Sequence, residues 1–332
     1  MKRILFFGNN SGARFWRFAD PARYLERTGK FEIRMNDGIM TYGDLIWADI
    51  IITQGIVDKM MIAAFYGAQQ DIGKKWIVEF DDWIVAEKNS PHKLEHEVSH
   101  ATEVIPIQMK VCDMVTTTTP YLASKFKKYN KNVTVLPNFL DPERWDVPIL
   151  HNREDSIKIG WAGSMTHFDD FSECTWALKE ILKKYPKTEL CLVGDPRLID
   201  LFKGYKVSLS QWPSMATGLT DYTSKFSSSR WDIGIAPIRD TEFNRCKSNI
   251  KPLEYGALEI PCVASDVEPY KNFDGHVLLS SNKYEWYDNL KNLVEDKEYR
   301  QGLGKNMRQY VWDNFDLSKN IGLFVAAYES LV

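Results

Sequence analysis

The sequence predicts an α/β protein built from two Rossmann-like, doubly wound domains facing a cleft. Three observations predict it. Short apolar runs that end at glycine or polar residues alternate with helix-like stretches. The alternation lapses in a charged, proline-bearing segment and then restarts. The chain's 332 residues are long for a single core.

In the first half, RILFFG (3–8) reads as a buried strand and ADPARYLERTG (19–29) as a helix closed by Gly29. FEIRM (31–35), ADIIITQG (48–55) and KWIVEFDD (75–82) read as further strands, with MMIAAFYGAQQ (60–70) as a helix between the last two. HEVSHATEVIPIQMKVC (96–112) reads as a helix that Pro106 kinks or breaks. DMVTTTT (113–119), YLASKFKKYN (121–130) and VTVLPN (133–138) complete the pattern. Apolar runs without polar alternation fit parallel strands covered on both faces.

The predicted organisation is an N-terminal domain at 1–140, a linker at 141–155 and a C-terminal domain at 156–310. A last helical segment, 311–332, is expected to pack back across the hinge. In the second half, IKIGWAG (157–163), ELCLVGD (189–195), IGIAPI (233–238), IPCVAS (260–265) and HVLLSS (276–281) read as strands. FSECTWALKEILKKYP (171–186), TSKFSSSRWD (223–232) and KPLEYGAL (251–258) read as helices or helix ends. Ligands in such sheets bind beyond the carboxyl ends of the strands.

Hydrophobic residues make up 44% and charged residues 26%, with a net charge of −3, which disfavours a nucleic-acid coat protein. No apolar run is long enough to span a bilayer, and the apolar stretch of MKRILFFGNN is too short for a leader. The five cysteines are scattered, without a C-x-x-C pair, so a reducing cytoplasm is the expected setting and no structural zinc is expected.

The densest chemistry lies in RCKSNIKPLEYGAL (245–258). Proline suits a first helical turn, and Ser248 or Asn249 suits an N-cap. At helical spacing Lys251 and Glu254 share one side while Ile250, Leu253 and Ala257 share an apolar one. Arg245 and Lys247 precede the helix. Cations at a helix N-terminus suit a phosphate or diphosphate, and a glutamate one turn in suits the vicinal hydroxyls of a ribose. A solvated, salt-bridged helix start fits the same pattern.

Three other segments draw attention. In IGWAGSMTHFDDF (159–171), Gly160 and Gly163 permit close backbone approach; Asp169 and Asp170 read best as caps of a helix beginning near 168, and His167 is open to a functional role. In FGNNSGARFWR (7–17), Gly12 and Arg14, with Arg17, suit a loop touching donor phosphate or acceptor, or an ordinary turn. In VEFDDWIVAE (78–87), Asp81 and Asp82 suit hydroxyl binding better than a metal.

Together these residues resemble GT-B glycosyltransferases of the retaining family 4 type. VTTTTPYLASKF and NVTVLPNFLD, then IGWAGS, LCLVGD, RWDIGIAPI and KSNIKPLEYGALEIPCVASDV, stand in the family's order, and the last is the most specific. ARFWRFADPARYL and FDDW look like versions in viral and capsule-type members. The resemblance implies that Lys247 and Lys251 hold the diphosphate and Glu254 the ribose. Gly12, Gly163, Ser164, Arg245 and Ser248 join them as donor-binding residues. His167 joins the two lysines as a catalytic residue, and Arg14, Asp81 and Asp82 lie on the acceptor side. It implies sugar transfer from a nucleotide-diphosphate donor with retention, without a metal or other cofactor. The acceptor could be a glycan, a lipid-linked glycan, a protein or a modified DNA base. The chain departs from the pattern at Cys246, where the family carries a glutamate, and lacks the Arg/Lys pair after IGWAG. A nucleotide-sugar epimerase of the same fold, a non-catalytic nucleotide-sugar binding protein and an NAD-dependent oxidoreductase are the rivals. The last lacks G-x-G-x-x-G.

Overall fold

The computed structural model describes all residues except 9–14, 37, 57, 85–100, 153 and 212–218. The chain forms two compact units. The first comprises Met1–Phe139, Arg245–Ser248 and Leu317–Val332, and the second comprises Leu140–Asn244 and Asn249–Asp316.

The first unit contains strands β1 (Lys2–Phe7), β2 (Phe31–Asn36), β3 (Ile50–Gln54), β4 (Lys75–Phe80), β5 (Met114–Thr117) and β6 (Val133–Val135). They form one parallel sheet in the order β2-β1-β3-β4-β5-β6. The central strands Ile50-Ile51-Ile52 and Trp76-Ile77-Val78 are buried on both faces, as unalternated apolar runs require. Helix Lys59–Ile72 starts at Asp58, whose carboxylate accepts from the Met60 and Met61 N–H groups, and stops at Gly73 in a left-handed conformation. Helix Ala101–Val111 continues past Pro106, which therefore does not break it. Helix Leu317–Glu329 packs on this unit, with Phe324 against Phe139 and Glu329 paired to Lys30.

The second unit contains β7 (Ile157–Gly163), β8 (Thr188–Gly194), β9 (Val207–Ser210), β10 (Ile233–Ala236), β11 (Cys262–Ser265) and β12 (Leu278–Ser280). Its parallel order is β12-β11-β10-β7-β8-β9. The strand order reverses between β7 and β10, which is where a ligand crevice opens in sheets of this kind. Ile159, Trp161, Phe171, Leu190, Ile233, Ile235 and Trp286 make its core. The stretch after IGWAG is a 3-10 helix, Met165–Glu173, and the α-helix begins only at Thr175. Within residues 141–155, a short helix Pro142–Trp145 is capped by Asp141, and its Trp145 is fully buried against Tyr222 and Phe226.

Candidate functional site

In the second unit the point where the strand order reverses lies between the ends of β7 and β10. A Cβ added at Gly163 would lie 2.3 Å from the Trp161 indole, and one at Gly160 would lie 1.8 Å from Trp231. Both glycines are therefore demanded by aromatic packing. Trp161 is fully buried and carries two neighbours of interest. The His167 ring meets it edge-on at 6.1 Å, and Lys251 Nζ lies 5.8 Å from its ring centroid. Gly163, His167 and Lys251 thus gather round one indole. The Ser164 hydroxyl instead bonds to that of Thr166 at 2.7 Å.

Asp170 is the hub beneath them. It accepts from the Arg239 N–H at 2.9 Å and from Asn244 Nδ2 at 2.8 Å, and shares a hydrogen bond with His167 Nδ1 at 2.8 Å. Burial alone would raise its carboxyl, but His167, the Arg239 N–H and Asn244 hold it below the usual range. Asp170 therefore joins three segments instead of capping a helix. Asp169, at the surface, pairs with Arg239 at 3.2 Å.

Helix Ile250–Ala257 carries Pro252 in its first turn. Asn249 is its N-cap but makes no side-chain cap bond. Glu254, expected to share an accessible side with Lys251, is 6% exposed. Its Oε1 accepts from the Tyr222 hydroxyl at 3.0 Å. Burial pushes the carboxyl up to about 7, against the lowering effects of Lys251 and Tyr222. A carboxylate so placed accepts hydrogen bonds from hydroxyls and is electrostatically responsive near neutral pH.

In the first unit, side chains converge at the ends of β4, β5 and β6. Arg17, 2% exposed, donates from Nε to Glu79 at 2.7 Å. Its Nη1 donates to the Leu136 carbonyl at 2.6 Å and to Asn138 Oδ1 at 2.9 Å. The Thr116 hydroxyl donates to the other Glu79 oxygen. Arg17 is thus a buried strut and not a loop cation. Asn138 Nδ2 in turn donates to the Ser248 hydroxyl at 3.0 Å, so Ser248 is anchored here and does not cap the following helix. Lys247 Nζ stands 4.0 Å from Asp82. Asp81 is pushed up to about 7 by burial and by the charges of Asp82 and Glu79, which Arg17 partly offsets. Cys246 is fully buried, and Arg245 belongs to the same unit. Gly12 and Arg14 lie outside the described residues.

Sequence reasoning therefore named Gly163, His167, Lys251 and Glu254, which the second unit assembles, and Lys247, Ser248, Asp81 and Asp82, which the first unit holds. It missed Tyr222, Asn244, Asn138 and the strut role of Glu79. The Asp169-Asp170 pair was the only available signal for the hub. Among the described residues no three His, Cys, Asp or Glu side chains are grouped to hold a metal. No described helix is long and apolar enough to cross a membrane.

No family model matches the sequence, and no curated protein matches it. Solved structures do. Sucrose-phosphate synthase from Thermosynechococcus elongatus superposes with a TM-score of 0.68 at 13% identity, covering 100% of this chain and 99% of that one. A glycosyltransferase from Rickettsia africae gives 0.65 at 14% identity, covering 99% and 98%. HepE from Anabaena, solved in complex with UDP, gives 0.66 at 13% identity with full coverage of both chains, and it has also been solved with UDP-glucose. With two parallel six-stranded sheets, interleaved helices and neighbours aligned along essentially their whole lengths, the chain has the GT-B glycosyltransferase fold.

Proposed function

We propose that the protein is a glycosyltransferase that moves a sugar from a nucleotide-diphosphate donor to an acceptor, with retention and without a metal. The observation that carries this reading is helix Ile250–Ala257, which presents Lys251 beside Trp161 and the buried Glu254 one turn deeper, within the GT-B fold. Lys251 supplies charge for the diphosphate, and Glu254 accepts from the ribose. The sequence resemblance adds Lys247 and Arg245, a few residues earlier in the chain, as further diphosphate-binding cations. His167, held by Asp170 and edge-on to Trp161, donates to a phosphate oxygen or the sugar. Asp81 and Asp82 take acceptor hydroxyls. The leaving diphosphate is stabilised electrostatically by lysines and a helix N-terminus, which needs no metal.

UDP and UDP-glucose, held by HepE structures, make uridine the first base to test. Acceptors of the glycan, lipid-linked glycan, protein and modified-base classes all fit. Cys246 favours one second reading, a nucleotide-sugar binding protein without turnover, because the family resemblance asks for a glutamate there. A thermal-shift screen against UDP, GDP, ADP, dTDP and their sugar conjugates, with NAD as control, tests the reading. A shift with one nucleoside diphosphate that Lys251→Ala abolishes supports it. No shift, or a shift with NAD alone, overturns it. Sugar transfer from the matching donor, and the anomeric configuration of the product, then separate transferase from binder and retention from inversion.

A further inference from the structure

Tyr222 has no place in the sequence reading, yet it makes the hydrogen bond that fixes Glu254. It sits on helix Leu219–Ser228, with its ring packed at 6.0 Å from Trp145 and 5.7 Å from Phe226. That packing aims its hydroxyl at Glu254 Oε1, 3.0 Å away. Among the described residues nothing donates to Glu254 Oε2. We propose that Tyr222 is a positioning residue of the donor site: its hydroxyl fixes one oxygen of Glu254 and leaves the other for a ribose hydroxyl. The inference rests on the donor-site reading above.

The chemistry is specific. A hydroxyl has one proton to donate, and a buried carboxylate that takes it is favoured in its charged form. The titratable and charged groups that face Glu254 are Tyr222, Lys251 on its own helix, and the neighbouring Tyr255. Burial and the Glu254 charge hold the Tyr222 phenol well above its ordinary range, so it stays a donor throughout the physiological window. Loss of its hydroxyl removes one of the two groups that keep the carboxylate ionised. Nucleotide affinity that depends on the carboxylate then rises at a higher pH than before. A shift of about one pH unit would lower the ionised fraction at pH 7 about five-fold.

The test is the affinity of the full chain for UDP-glucose, whose diphosphate, unlike the terminal phosphate of UDP, does not titrate near neutrality, measured calorimetrically from about pH 5.5 to about 8.5. Tyr222→Phe keeps the packed ring, and its melting temperature reports that the fold is kept. The expected result is affinity that rises with pH in the native protein, a midpoint moved upward in Tyr222→Phe, and a flat profile in Glu254→Gln. A purely structural role would weaken binding equally at every pH and leave the midpoint in place, which would overturn the inference. If Glu254→Gln itself leaves the affinity and its pH profile unchanged, or no nucleoside diphosphate or its sugar conjugate binds, the donor-site reading falls as well. A flat Glu254→Gln profile beside an unmoved Tyr222→Phe midpoint sinks the positioning role alone.

Discussion

Two buried glutamates, one in each unit, have nearly the same exposure and opposite surroundings. Glu79 is 4% exposed and Glu254 is 6% exposed. Both Glu79 oxygens are engaged, one by the Arg17 guanidinium and one by the Thr116 hydroxyl. Glu254 has one hydroxyl bond, and a lysine contributes at longer range. Burial alone therefore does not mark a site. A buried carboxylate whose donors are complete is part of the frame, whereas one with an oxygen to spare is suited to a partner that arrives later.

Breaking the frame should give the largest effect. Arg17→Leu leaves Glu79 buried without its guanidinium and should destabilise the first unit by about 3–5 kcal/mol. A chemical denaturation midpoint reads this, and an unchanged midpoint would make Glu79 no different from Glu254. Lys251→Ala should lower nucleoside-diphosphate affinity about ten-fold or more with little change in melting temperature, since removing a charge-assisted contact costs about 1.5–3 kcal/mol. Equal losses of stability and affinity would count against a ligand role.

The pH dependence sharpens the contrast further. The folded Glu254 and Asp81 carboxyls lie near 7, above the ordinary values of 4.5 and 3.8. Each binds its proton more tightly folded than unfolded. The stability each adds is complete below its ordinary value and is lost as the pH rises through about 7. The unliganded protein should thus lose part of its melting temperature across that window while nucleotide affinity grows. Glu254→Gln and Asp81→Asn should each flatten part of the melting curve, and Glu254→Gln alone should flatten the affinity curve. Ser248→Ala should be the mildest change, about 1 kcal/mol for the bond to Asn138, read by the same denaturation midpoint.

The architecture was largely legible in the sequence because parallel strands announce themselves as apolar runs. The exception is β9, Val-Ser-Leu-Ser, an edge strand whose burial is only partial on alternate residues, so no continuous run betrays it. The site was legible where charge and proline coincide at a helix start, as with Lys251, Pro252 and Glu254. It was not legible where contacts join distant segments. Tyr222 and Glu254 lie 32 residues apart, and Asp170 meets Asn244 across 74. Local spacing gives Asp170 the look of a cap. Only the folded chain shows that its partners come from elsewhere.

The chain passes from one unit to the other four times, at 139/140, 244/245, 248/249 and 316/317. During synthesis the first unit therefore cannot be completed until its last helix, Leu317–Glu329, has left the ribosome. The second unit's final stretch, ending at Asp316, emerges before that helix. A gene fragment cut after residue 139 would encode six strands but neither the Ser248 that Asn138 binds nor the Phe324 that covers Phe139. The two units of this protein are therefore not two successive translation products.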